Sequence, residues 1–132
     1  LRAARELADS DEPNGARLRE LQAAAGTMSG EQVYQAIVER DPGAISILNE
    51  LGAWLGQTIA SLSAVLDPEI VVIGGGVSAA GELLLEPIRS AYLANMPARG
   101  FRPELTLKVA EFVNDAGVVG AADLVRMALA QR

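Results

Sequence analysis

The chain contains neither cysteine nor histidine. Without cysteine there is no disulfide framework and no thiol nucleophile, which agrees with a reducing compartment and leads us to expect a cytoplasmic location. Without histidine, Ser-His-Asp triads, His general bases and the usual zinc ligand sets are excluded. Carboxylates and backbone groups are the chemistry that remains. Basic residues are also in the minority, 11 against 17 acidic ones, for a formal charge of −6. A nucleic-acid surface needs the opposite sign to neutralise phosphates, so no nucleic-acid partner is expected. Aromatic residues supply 4% of the chain, and Trp54 and Tyr34 stand too isolated to form a stacking platform; core or interface positions are assigned to them.

No charged, then apolar, then small-residue leader is visible at the start. The opening run Leu1-Arg2-Ala3-Ala4-Arg5-Glu6-Leu7-Ala8 reads instead as a helix already under way, and we expect a fragment of a longer product.

What is present is apolar bulk, 50% of 132 residues, enough for the core of one ordinary domain. Residues 9 to 16 are polar and turn-rich, and the stretch from Gly26 to Gly30 breaks the chain again. Ser29 is placed to cap a helix from Glu31 to Val38, and Asp41-Pro42 to cap and start a longer one. That longer helix carries Ile45, Leu48, Leu55, Ile59, Leu62 and Leu66 at spacings of threes and fours, widened by Ile47, Leu51, Trp54 and Val65, and is expected to be mostly buried. Residues 44 to 66 would span about 35 Å at 1.5 Å per residue, long enough for a bilayer. Asn49, Glu50 and Gln57 argue against insertion, because a carboxylate near mid-membrane costs about 3 kcal/mol. No membrane partner is expected.

Asp67-Pro68 then stops the helix. Glu69 to Ile73 is a β-branched run of the buried parallel-strand type, Gly74-Gly75-Gly76-Val77-Ser78 turns into a helix through about Met96, and Leu105 to Ala110 is a second strand. The intervening helix is a crossover, giving one βαβ unit, and a last helix runs from Ala116 to Ala130. Two parallel strands make a poor sheet alone, so the rest of the sheet is expected to lie outside these residues.

The glycines permit close approach of a ligand, and a helix N-terminus beyond them offers free N–H groups to a nucleotide. A strand-glycine-helix corner can equally serve only to turn the chain. A Walker A loop is excluded, since Val77-Ser78 supplies no lysine. Gly74, Gly76 and Ala79 match a relaxed dinucleotide fingerprint, but its acid belongs about 20 residues on, whereas Glu111 stands far beyond that. Ser78 either bonds a nucleotide or caps the following helix. Asp115 is read as an N-cap ahead of a place near the nucleotide. Gly117 and Gly120, with Ala121, fit either close helix contact or plain core packing. Arg99, Arg102, Glu104 and Lys108 are read as solvated edges.

The run from Leu66 through Ser78, Leu-Asp-Pro-Glu-Ile-Val-Val-Ile-Gly-Gly-Gly-Val-Ser, resembles the adenosine motif of the ROK family, which groups bacterial glucokinases and related sugar kinases with sugar-responsive repressors. Three further stretches are similar to family segments: Gly30 to Ala36 with Asp41-Pro42-Gly43-Ala44, Gly81 through Pro87-Ile88, and Asn114 through Ala122. In tone they are most similar to actinobacterial glucokinases. The resemblance implies the C-terminal portion of an actin-like, hexokinase-type ATPase (ribonuclease H-like) fold: a helical region at 1–66, and an adenosine-binding βαβ unit with a closing helix at 67–132. It implies that Gly75, Gly76, Val77 and Ser78 bind adenosine, with Gly74 setting the turn. ATP and Mg²⁺ follow as cofactors, glucose or a related hexose as substrate, and a homo-oligomer as the assembly. The family's catalytic Asp, sugar-holding Glu and His, and Cys-rich zinc motif belong to the missing N-terminal half. Zinc is thus implied by the family only, with no ligand in this chain, and the segment alone is expected to be inactive. A sugar-responsive repressor, or a non-catalytic α/β nucleotide-binding module, are the alternatives.

Overall fold

The computed structural model describes residues 1–112 and 115–130. Two short helices open the chain, α1 (Arg2–Asp9) and α2 (Ala16–Ala25), joined through a 3-10 turn at Pro13–Gly15. Gly26 ends α2 with a left-handed backbone, φ 72°, a state open to glycine at little cost. The next boundaries follow from side-chain chemistry. The Ser29 hydroxyl accepts from the Gln32 N–H at 3.2 Å while the Gln32 carboxamide accepts from the Ser29 N–H at 2.8 Å. That reciprocal pair satisfies two donors that a helix start otherwise leaves bare, and it opens α3 (Gly30–Val38). Asp41 Oδ1 accepts from the Ala44 N–H at 2.9 Å, and Pro42 follows as the first residue of α4 (Pro42–Leu66).

Asp67 adopts a left-handed conformation at the end of α4. It is held there by Arg102, which pairs with the Asp67 carboxylate and donates to the Ser63 carbonyl at 2.9 Å. Arg102 is therefore a half-buried clasp on the end of α4 and not a solvated edge residue. Strand β1 (Ile70–Ile73) runs parallel to β2 (Thr106–Val109), with Ile70 opposite Thr106 and Ile73 opposite Val109. Helix α5 (Glu82–Asn95) is the crossover, and α6 (Ala116–Ala130) closes the described chain.

Helices α4 and α5 form the spine of the molecule. Their approach depends on missing side chains: a Cβ on Gly56 would stand 2.4 Å from the Ile88 carbonyl oxygen, and one on Gly52 would stand 2.7 Å from the Pro87 ring. The buried side of α4 accordingly runs through Ala44, Leu48, Gly52, Gly56, Ile59, Ala60 and Ser63. This corrects the expected wide apolar stripe. Small residues pack closest, so Leu51, Trp54, Leu62, Val65 and Leu66 lie outside on the exposed side. Trp54 is not a core residue. The core gathers Leu84, Leu85, Ile88 and Tyr92 of α5, and Met96 just past its end, against Ile59 and Ala60 of α4 and Leu107 of β2, and extends to Leu18, Met28, Ala36 and Ile37 in the helical part. The Tyr92 hydroxyl, buried with its ring, accepts from the Leu105 N–H at 3.3 Å, which removes the cost of an unpaired polar group.

Three further expectations need correction. The strands are a residue shorter at each end where the chain leaves the two-strand ladder, apart from the C-terminal end of β1, and β1 is open on one face: Ile70 and Val72 are exposed. Among the described residues this pair of strands packs one face toward the core and leaves the other open. The helix after the glycines does not begin at Ser78; a 3-10 turn spans Gly76–Ala80, and α5 starts at Glu82 after Gly81, whose φ is 57°. Finally, a Cβ built on Gly117 or on Gly120 would meet nothing within 4 Å, so among the described residues these glycines make neither a close helix contact nor a core contact. Asn114, the first residue of the closing motif, lies outside the described residues; the Asp115 carbonyl accepts from the Val119 N–H at 2.9 Å and opens α6.

Candidate functional site

The corner after β1 is built by one strained backbone position and one buried hydroxyl. Gly75 has φ 86° and ψ 176°, a region that only glycine occupies readily. It is Gly75, and not Gly74, that turns the chain. Gly74 has no positive φ, and a Cβ there would meet only Ala110 Cβ at 3.6 Å, an ordinary contact. Ser78 is fully buried, its hydroxyl donating to the Gly75 carbonyl at 2.7 Å and its N–H donating to the same oxygen at 3.0 Å. Ser78 therefore neither caps α5, whose N-cap position is Gly81, nor presents its hydroxyl to solvent. It fastens the loop from within. The 3-10 turn that follows leaves its first N–H groups without partners inside the turn, and these belong to Gly76 and Val77.

Beside this turn lies a cavity of about 600 Å³, lined by Gly76, Val77 and Ala79 from the loop and by Gly30, Glu31, Val33, Tyr34 and Ile37 from α3, with Leu1 at its margin. The size is that of a small-molecule site, and the mostly apolar wall with few polar groups is the usual composition of one. Of the five residues read from the sequence as a site, Gly76 and Val77 line the cavity, Gly75 and Ser78 shape the loop that supports it, and Gly74 does neither. The α3 wall was missed. Tyr34 was assigned to core or interface, yet it is 38% exposed, faces this cavity, and its hydroxyl reaches the Ala79 carbonyl at 3.4 Å. An apolar-and-aromatic helix followed by a glycine corner more than 35 residues on carries no local signal of that meeting; it arises from the packing of α3 on the turn.

The α3 wall is held at both ends. Its first turn carries the Ser29–Gln32 capping box, and the Gln32 carboxamide N–H also donates to the Leu21 carbonyl at 3.2 Å. Near its end, Arg17 of α2 makes two bonds to Glu39, at 3.0 and 3.3 Å, and Gln35 donates to the same carboxylate at 2.9 Å. The Gln35 hydrogen bond first, and then Arg17, hold the Glu39 carboxyl below its ordinary value of 4.5. The same pairing raises the Arg17 guanidinium.

Among the described residues no group of three or more Asp, Glu, His or Cys side chains is placed to hold a metal ion. Among the described residues no helix is long and apolar enough to cross a membrane.

The glycine corner between a parallel strand and its crossover helix, roofed by a capped helical segment, sits in an α/β fold of the actin-like ATPase kind, the fold of the solved structures on which the chain superposes. The particular family is shown by comparison: the chain belongs to the ROK family, whose model matches residues 14–128. It is similar to the glucokinase of Streptomyces coelicolor, 36% identical over 99 residues that cover 75% of this chain and 31% of the relative. It is also similar to the glucokinase of Halalkalibacterium halodurans, 38% identical over 104 residues, 76% of this chain and 30% of the relative. Among solved structures, it superposes with a TM-score of 0.84 at 35% identity on a ROK family glucokinase from Streptomyces griseus in complex with glucose and AMPPNP, covering 96% of this chain and 41% of that one. The chain spans about a third of the length of the curated relatives it matches.

Proposed function

We propose that these residues form the adenosine seat of an ATP-dependent hexose kinase, with glucose as the substrate and glucose 6-phosphate as the product. The observation that carries this is the pairing of a glycine corner, turned at Gly75 and fastened by Ser78, with an apolar cavity of about 600 Å³ in a chain whose solved relative was crystallised with glucose and AMPPNP. On this proposal residues 67–132 are the nucleotide-binding unit and residues 1–66 the helical region that covers it. Gly76 and Val77 approach the adenosine through backbone N–H and side-chain contact; Gly75 and Ser78 hold them in place, with Gly74 joining them to β1. ATP bound here supplies the transferred phosphoryl group, and the chain's own residues orient it by gripping the base and ribose end, since phosphoryl transfer depends chiefly on positioning. The acid-base residues, the hexose contacts and any Mg²⁺ site are assigned to parts of the protein outside these residues. The 132 residues alone are expected to bind nucleotide without turning over glucose.

The test is calorimetric titration of ATP into the full-length gene product, with ADP release measured with and without glucose. Val77→Asp, which puts a charge on the cavity wall without straining the turn, should weaken ATP binding at least tenfold, about 1.4 kcal/mol, and raise KM for ATP. A folded wild type that binds no ATP would remove the proposal and favour the sugar-responsive repressor; ATP binding with no glucose-dependent ADP release, whatever the hexose supplied, would leave only the non-catalytic nucleotide-binding module.

A further inference from the structure

We infer that Tyr34 is a specificity-determining residue of the nucleotide site, its ring forming the face on which the purine base stacks. This rests on the adenosine-seat proposal and extends it to a residue on a different element from the glycine corner. Three observations carry it. Tyr34 is an exposed aromatic on a helix whose neighbouring apolar residues, Val33 and Ile37, pack with the core, while Tyr34 itself does not. It lines the same cavity as Gly76 and Val77. Its hydroxyl donates to the carbonyl of Ala79, 45 residues further along the chain, at 3.4 Å, so the ring is tied to the loop proposed to grip the nucleotide rather than free to sweep solvent.

A tethered ring at the wall of a cavity has a defined use. Stacking on a flat heterocycle rewards a large π-face and is indifferent to the phosphates. A purine therefore gains more from Tyr34 than a pyrimidine, and a nucleotide without a base gains nothing. The capping box and the Arg17–Glu39 pair at the two ends of α3 fix the helix, so the face is present before the ligand arrives and little ordering is required on binding.

Calorimetry on the full-length gene product tests this with three probes: ATP, UTP and ribose 5-triphosphate. In Tyr34→Ala, ATP binding should weaken about tenfold, as expected for loss of one base–aromatic stack, while ribose 5-triphosphate binding stays unchanged. The ratio of ATP to UTP affinity should fall with it. Tyr34→Leu keeps apolar bulk without the π-face and should behave like Tyr34→Ala; Tyr34→Phe keeps the ring and should stay within about threefold of wild type, the scale of one long neutral hydrogen bond. In turnover, KM for ATP should rise in step with Kd while kcat at saturating ATP holds. Unchanged ATP affinity in both Tyr34→Ala and Tyr34→Leu, with a wild type that binds ATP, overturns this inference and leaves the adenosine seat standing. Equal weakening of ATP and ribose 5-triphosphate also overturns it, since that is the mark of a wall residue supporting the loop. A wild type that binds no ATP overturns the adenosine seat and this inference together.

Discussion

Gly74 and Gly75 are adjacent and alike in sequence but not in structure. At Gly75 a side chain would have to adopt φ 86° with ψ 176°, so Gly75→Ala should destabilise the fold by about 1–3 kcal/mol. At Gly74 a methyl group makes only ordinary contact, and Gly74→Ala should stay within about 0.5 kcal/mol. Thermal and urea unfolding of the two variants distinguishes them, and equal effects would show that the turn is not made at Gly75. Ser78 belongs to the same device. Ser78→Ala leaves the Gly75 carbonyl with one bond of two and should cost about 1 kcal/mol, with a matching loss of ATP affinity as the loop loosens.

Between elements, the α4–α5 contact is set by two glycines. Gly→Ala inside a helix gains about 1 kcal/mol in propensity, but at Gly56 the new methyl meets backbone atoms of Ile88 and Tyr92 at 2.4 and 2.7 Å. Backbone cannot swing aside, and overpacking of about 1–3 kcal/mol at the upper end wins. Gly56→Ala should therefore lower the Tm, whereas Gly120→Ala, with open space around it, should not. The Arg17–Glu39 tie between α2 and α3 carries a pH dependence. Because the folded carboxyl titrates below its ordinary 4.5, its contribution is complete at neutral pH and is lost as acid protonates it in the folded state. The Tm difference between wild type and Glu39→Gln, small and salt-sensitive because the pair is exposed, should be present at pH 7 and shrink away as acid protonates the carboxylate in the folded state. A difference that grows on acidification would mean Glu39 is not held by these partners.

On the scale of the whole molecule, the described residues leave apolar surface uncovered on the outer face of β1, with Ile70 and Val72, and along α6, where Val118, Leu124, Val125, Met127 and Leu129 are exposed. Surfaces of this kind are unusual on a finished monomer, and on the kinase proposal they meet other parts of a protein of the relatives' length. Hydrogen exchange checks it: α6 amides should exchange fast in the 132-residue segment and slowly in the full-length gene product, and equal fast exchange in both would count against that packing. The exposed side of α4, with Trp54, Leu62 and Val65, is where a second copy is proposed to dock; light scattering on the full-length gene product should give a dimer or larger, and a monomer would exclude it.

Local chemistry made much of this legible in advance. Ser29, Asp41-Pro42 and Asp67-Pro68 mark helix ends because capping and proline act over three or four residues, and the β-branched run and glycine triplet mark the strand and its corner for the same reason. The parallel βαβ unit and the ROK resemblance followed from those short-range signals in order. What remained hidden depends on residues far apart in the chain. Only packing decides that α4 buries its glycines and alanines instead of its leucines, since a close helix crossing rewards the absence of side chains. Only packing brings Arg102 to the end of α4. And only the seating of α3 against the glycine corner turns Tyr34, an isolated aromatic in sequence, into a wall of the cavity beside that corner, because a cavity is a property of two surfaces and no single stretch of chain contains both.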